Sequence, residues 1–418
     1  MCIRDRTATA VLVLLAAVTL TAVNGLSIRK VLLALVSVAL AVGAWRPVVL
    51  GTTYRAVAYL MLGFLLGLCG LELAAAALLN IRSEAPSALT EDYYASVDWG
   101  DDYRAEAQDL TEYYVPFVLW KSRPYKGRLT NTDDLGNRVT PGADCRPGAY
   151  KVFVLGGSAV WGLGVPDWGT LPAQLQILLA AQHDRPVCVE NLGQNGWVST
   201  QGVIELMRRL QADEVPDLVI FYDGLNDVAA ASEEGVAGNN LGLQQIRWRL
   251  DTTAPALRLL VSTHTFRLAE HLLPSLGTMR AGPTAFRPVE TDDGRLADNL
   301  VQVYLTNYRS VAALSREYGF AYAFFWQPTL GYRLKPLAPG EQRILQARIA
   351  EKPELSSLLS LVLPRIRAAA RRHDRLFDVT DVFVNEPLWT FLAEAQITPD
   401  GNRQVASRIV QLLSQRPQ

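Results

Sequence analysis

Apolar and polar positions fall into four regimes along the chain. Residues 1–80 are almost continuously apolar, in runs at 7–23, 31–45 and 56–79, with Arg29-Lys30, Arg46 and Arg55 between them. Residues 83–108 are polar and acidic and read as an irregular linker. From 113 to 138, aromatics, Pro and Gly alternate without helical period, which predicts extended strands and turns in a preamble, so that 81–148 is linker and preamble together. From 149 to 418 the pattern alternates. Short apolar runs at 152–155, 187–189, 218–222, 321–326 and 376–379 read as buried strands. Between them come helical periods at 171–182, 200–211, 298–318 and 355–372. A last helix starts near Pro399, with Val405, Ile409 and Leu412 on one face. Strands separated by helices predict an α/β fold, a flavodoxin-like three-layer parallel sheet. Residues 229–293 break the rhythm and read as an insertion over the site, where substrate selection is commonly carried.

The third N-terminal run is long enough to span a bilayer alone. The second spans only with help from 47–50 or as a tilted hairpin partner. About three transmembrane helices are expected before residue 80, because a single signal peptide does not account for so much apolar chain. Lys and Arg are nearly balanced around the runs, so they do not fix the orientation. Three spans with the N-terminus inside put the α/β domain outside, periplasmic or at the cell surface. Glu72, inside the third run, is either a functional group or an interfacial carboxylate.

Half the residues are hydrophobic and 19% are charged, with the apolar excess concentrated before residue 80. The net charge of −1 gives no electrostatic footprint for nucleic acid. There is no Walker A pattern, no G-x-G-x-x-G opening a helix and no metal-ligand spacing among the four cysteines, so no cofactor or metal is expected. Cys145 and Cys188 flank the first βα unit. They read more readily as two separate buried thiols than as a disulfide, which an oxidising compartment would allow.

Candidate chemistry clusters at the carboxyl ends of the first three strands. The first runs into Gly156-Gly157-Ser158, the second into Asn191-Leu192-Gly193, the third into Gly224-Leu225-Asn226-Asp227. In open α/β sheets that edge is where ligands bind. These blocks together resemble the SGNH (GDSL-like) serine hydrolase family, over roughly residues 113–412 apart from the insertion. The resemblance implies a nucleophile at Ser158 and an oxyanion hole from the Ser158 and Gly193 N–H groups and the Asn226 amide. Gly157, Asp227 and Gln396 are expected to line or shape the place of the bound group. The preamble is similar, more loosely, to that of a membrane-anchored subgroup linked to cell-surface polysaccharide modification. This implies an acylated glycan or lipid as substrate and partners in a polysaccharide assembly pathway.

One family feature is missing. The catalytic Asp-x-x-His precedes the Thr-Pro-x-Gly-Asn run, which here is Thr398-Pro399-Asp400-Gly401-Asn402. Counting back places Gln396 at the His position and Ala393 at the Asp position. Gln has no titratable group to act as general base. Of the four histidines, His183 and His373 read as surface residues away from the site, and His264 and His271 lie in the insertion. Glu394 is one residue out of register. Two functions stay open: a serine esterase or acyltransferase with an unrecognised base, its activity lost or much reduced, and an inactive module that binds an acyl group of a surface glycan.

Overall fold

The computed structural model describes residues 90–243, 289–331 and 335–415, together with 71–78 and a few single positions at 63–70, 246 and 263–269. The chain divides into two units, one of Met1–Glu84 with Trp248–Ala281 and one of Ala85–Arg247 with Gly282–Gln418. In the first unit, residues 71–78 are helical, and the Glu72 carboxylate accepts from the backbone N–H and hydroxyl of Thr265 at 3.0 and 2.9 Å. Among the described residues no helix is long and apolar enough to cross a membrane. The apolar runs at 7–23 and 31–45 lie outside those residues, and the run at 56–79 lies mostly outside. The stretch read as an insertion is likewise mostly outside them. Its middle, Trp248–Ala281, falls in the first unit and not in the α/β unit.

The second unit is built on a five-stranded sheet. Its strands are β5 (Tyr150–Gly156), β6 (Val187–Asn191), β7 (Leu218–Asp223), β8 (Ala321–Trp326) and β9 (Leu376–Asp378). They lie in the order β6-β5-β7-β8-β9 and every pairing is parallel. Counted within the sheet this is 2-1-3-4-5, the flavodoxin-like doubly wound order. Both faces are covered, which is why these strands read as unbroken apolar runs and not as alternating ones. On one face, Phe153, Leu155, Val219, Phe221 and Phe324 pack against α5 (Ser199–Gln211), α6 (Leu225–Glu234), α7 (Asp293–Tyr318) and α9 (Pro353–Ala370). On the other, Val152, Val154, Ile220, Tyr222 and Phe325 meet α4 (Leu171–Ala180), α8 (Pro339–Glu351) and α10 (Pro399–Gln415).

The sequence that precedes the sheet departs from expectation. Residues 90–107, read as linker, contain α1 (Glu91–Ala95) and α2 (Gly100–Ala107). Their aromatics explain it: Tyr94 and Tyr103 are buried and stack at 6.1 Å, with Trp99 edge-on to both. The Tyr94 hydroxyl donates to Gly164 O at 3.1 Å, and the Tyr103 hydroxyl accepts from Gly164 N–H at 2.7 Å. The charged residues that suggested a linker are the solvent face of this packed pair. The preamble is extended, as expected, in the hairpin of β1 (Glu112–Val115) with β2 (Leu119–Ser122) and the pair β3 (Tyr125–Lys126) with β4 (Asn131–Thr132).

Cys145 and Cys188 form a disulfide, Cα to Cα 4.7 Å, against the expectation of separate thiols. Asp144 N–H donates to Val187 O at 2.9 Å, so the segment before β5 lies alongside β6 and brings the two side chains together.

Candidate active site

Ser158 opens the short helix α3 (Ser158–Trp161) directly after β5, and its side chain is buried at the sheet's carboxyl edge. Asn226 lies in the first turn of α6 after the neighbouring β7. Gly157 lets the two approach, because a Cβ there would collide with Asn226 Nδ2. Asn226 Nδ2 also donates to Trp197 O at 2.8 Å, which fixes its orientation. The loop after α3 is braced from below by Arg138, only 1% exposed. Its guanidinium pairs with Asp167 at 2.8 Å, donates to the carbonyls of Trp161, Gly162 and Val165, and lies 4.4 Å over the Trp161 ring.

Gln396 arrives from the far end of the chain. Phe391 and Ile397 bridge antiparallel, and Leu392 and Ala393 N–H both donate to Gln396 O, so residues 391–397 form a tight turn. From that turn Gln396 Nε2 donates to Ser158 Oγ at 2.6 Å. Ala393 has only a methyl group with which to meet it. Glu394 is tied in by its backbone, its carbonyl accepting from Leu330 N–H at 2.7 Å. His183 stacks on Tyr150 at the opposite end of β5, and His373 packs against Tyr308. His264 and His271 lie outside the described residues.

Gly193 is placed differently. Its N–H donates to Asn191 Oδ1 at 3.1 Å, and a Cβ there would lie 2.6 Å from Trp161 N, so its α-carbon packs against the back of α3. The neighbouring Gly196, with φ 71°, turns the chain so that Trp197 O meets Asn226. Trp197 is the positioning residue that the sequence reading missed. Its fully buried ring packs on Val115 and Val118 of the hairpin, its Nε1 donates to Trp120 O at 3.0 Å, and Trp120 Nε1 donates to Asn195 O at 2.7 Å. The only sequence sign was aromatic density at 113–120.

Below the rim lies a buried acidic pair. Asp227 accepts from the N–H and hydroxyl of Ser199, the latter at 2.5 Å, and Ser199 Oγ in turn accepts from Asn307 Nδ2 at 2.9 Å. Burial raises the Asp227 carboxyl to about 6, with the Ser199 bonds pulling the other way. Asp223, 2% exposed, has neither carboxyl oxygen hydrogen-bonded. Burial, and then the charge of Asp227, holds it well above the usual carboxylate range. Burial thus favours the neutral form of its carboxyl beneath the site. Among the described residues no cluster of His, Cys, Asp and Glu is arranged to hold a metal ion.

No family model and no curated protein matches this chain. Solved structures to which the chain is similar include a lipolytic G-D-S-L family protein from Veillonella parvula (11% identity, 63% of this chain and 98% of that chain, TM-score 0.34). Others are a carbohydrate acetylesterase family member from Sinorhizobium meliloti (14%, 63% and 99%, 0.33) and an acetylxylan esterase from Geobacillus stearothermophilus, a catalytic mutant (12%, 64% and 95%, 0.34). The parallel sheet in the order β6-β5-β7-β8-β9, with the Gln396 amide against Ser158 Oγ at its carboxyl edge, is the flavodoxin-like arrangement that the strand pattern led us to expect.

Proposed function

We propose that the α/β unit is an SGNH-type acyl-recognition module that binds an ester-linked acyl group of a surface glycan or lipid with little or no turnover. The carrying observation is the 2.6 Å hydrogen bond from Gln396 Nε2 to Ser158 Oγ. In a serine hydrolase the partner of that hydroxyl must accept its proton. Here the partner is an amide that donates, leaving the serine O–H free to point at a ligand carbonyl. The Ser158 N–H and the Asn226 amide supply further donors. With no base, the residual acceleration from an oxyanion site and binding is about 10³–10⁴ over water.

The same pocket in a working esterase or acyltransferase is the second reading, favoured by the approach of Asn226 to the Ser158 turn. It requires a base from outside the residues described above. The apolar runs before residue 80 support tethering at a membrane. The Cys145–Cys188 disulfide supports an extracytoplasmic setting, where such bonds persist.

Calorimetric titration of the protein with O-acetylated oligosaccharides and their deacetylated counterparts tests this. The expected result is preference for the acetylated ligand, weakened about 3- to 10-fold in Asn226→Ala, the value of one neutral hydrogen bond. Equal affinity for both ligands would overturn it.

A further inference from the structure

At the opposite edge of the sheet, where the strands begin, lies a cleft of about 820 Å³. Tyr150 opens β5 on that edge and Gly156 closes the strand beside Ser158, so the two ends are separated by about 20 Å at the rise of an extended strand. The cleft is therefore distinct from the Ser158 site.

Three guanidiniums face it, those of Arg185, Arg316 and Arg375, against the single carboxylate of Asp217. Asp217 is already engaged, accepting from Arg185 Nη2 at 2.6 Å and from Lys151 N–H at 2.7 Å. Two positive charges are left over. Among the described residues neither Arg316 nor Arg375 has a carboxylate within ion-pair distance. Two of the guanidiniums are held against aromatic rings in advance: Arg185 Cζ lies 5.0 Å from the centre of the Tyr150 ring and Arg375 Cζ 5.4 Å from that of Tyr322. A guanidinium already held against a ring loses less freedom on binding, and its N–H fork suits carboxylate or phosphate. The volume suits a group larger than a bare ion.

We propose that this cleft binds the oxyanion of an acidic ligand, a carboxylate or phosphate carried on a sugar, between Arg316 and Arg375. That the carrier is a sugar rests on the glycan reading of the Ser158 site; the oxyanion does not.

The test is calorimetric titration of the full chain at low and moderate salt. Three probes are used: trigalacturonate, inorganic pyrophosphate and neutral maltotriose. The expected result is salt-sensitive binding of at least one anionic probe and none of maltotriose. Trigalacturonate alone would identify a glycan carboxylate, and pyrophosphate alone a phosphate. Affinity falls at least 10-fold in Arg316→Gln/Arg375→Gln and is unchanged in Ser158→Ala. Arg316 is exposed at the end of α7, so Arg316→Glu serves if the double variant misfolds. No binding of either anionic probe, or binding that survives both arginine variants, would overturn the proposal and leave Arg316 as a counter-charge to the α7 carboxyl terminus. Failure of the acetyl-ligand experiment with success here would leave the oxyanion cleft standing alone.

Discussion

Gln396 and Ser158 are 238 residues apart in sequence, and the amide nitrogen of one lies 2.6 Å from the hydroxyl oxygen of the other. The turn that delivers Gln396 is in place, closed by the Phe391–Ile397 bridge.

Introducing the Asp-x-x-His pair should bring turnover. Gln396→His with Ala393→Asp is expected to raise kcat/KM for a small acetyl ester by about 10²–10⁴, the range that a positioned general base contributes. Gln396→His alone gives less, because nothing orients the ring. Adding Ser158→Ala to the double variant returns it to the starting rate. Rates unchanged in the double variant would mean that the turn does not present residue 396 as described.

Arg138 should be critical to the loop after Ser158. Arg138→Met leaves Asp167 buried without its cation and three carbonyls without a donor. Breaking a buried pair costs about 3–5 kcal/mol. Urea unfolding should show that loss, and a change below about 1 kcal/mol would argue that the loop finds other partners.

The disulfide should matter to stability and not to the site. It closes a loop with a sequence separation of 43, for which the chain-entropy estimate is about 4 kcal/mol. Cys145→Ser/Cys188→Ser should lower the unfolding midpoint by a corresponding amount. Binding of the acetylated ligand should be retained under native conditions, where the variant is still folded.

The buried acids set a pH dependence with a definite sign. Folding raises the Asp227 carboxyl to about 6 and raises Asp223 as well, so the folded state holds more protons than the unfolded one. Their favourable contribution is complete below about pH 4, the ordinary aspartate range, and is lost as pH rises through the folded-state values. Wild-type stability should therefore fall between about pH 4 and pH 7 relative to Asp223→Asn. Thermal unfolding of both proteins across that range measures the difference, and parallel curves would contradict it.

The five strands were legible because burial on both sheet faces writes itself as unbroken runs such as Val152 to Leu155, and α4, α5, α7, α9 and α10 showed as helical periods between and after them, whereas α6 and α8 were not read. The places of Ser158 and Asn226 just after β5 and β7 were legible from the Gly-rich blocks that end those strands, while their roles came from the family resemblance alone. The α1–α2 pair was not, because its buried tyrosines are diluted by acidic neighbours on the solvent face. The disulfide was not, since spacing alone says nothing about the approach of residue 144 to β6. The roles of Trp197 and Arg138 depend on contacts across 23 to 77 residues that no local pattern encodes.

The most direct measurement is the hydrolysis of an acetyl ester by purified wild-type protein and Ser158→Ala under identical conditions. An acyl-binding module predicts rates for the two that cannot be told apart, alongside retained binding in the wild type. A wild-type rate that disappears with the Ser158 hydroxyl would contradict it and require a base that takes the serine proton.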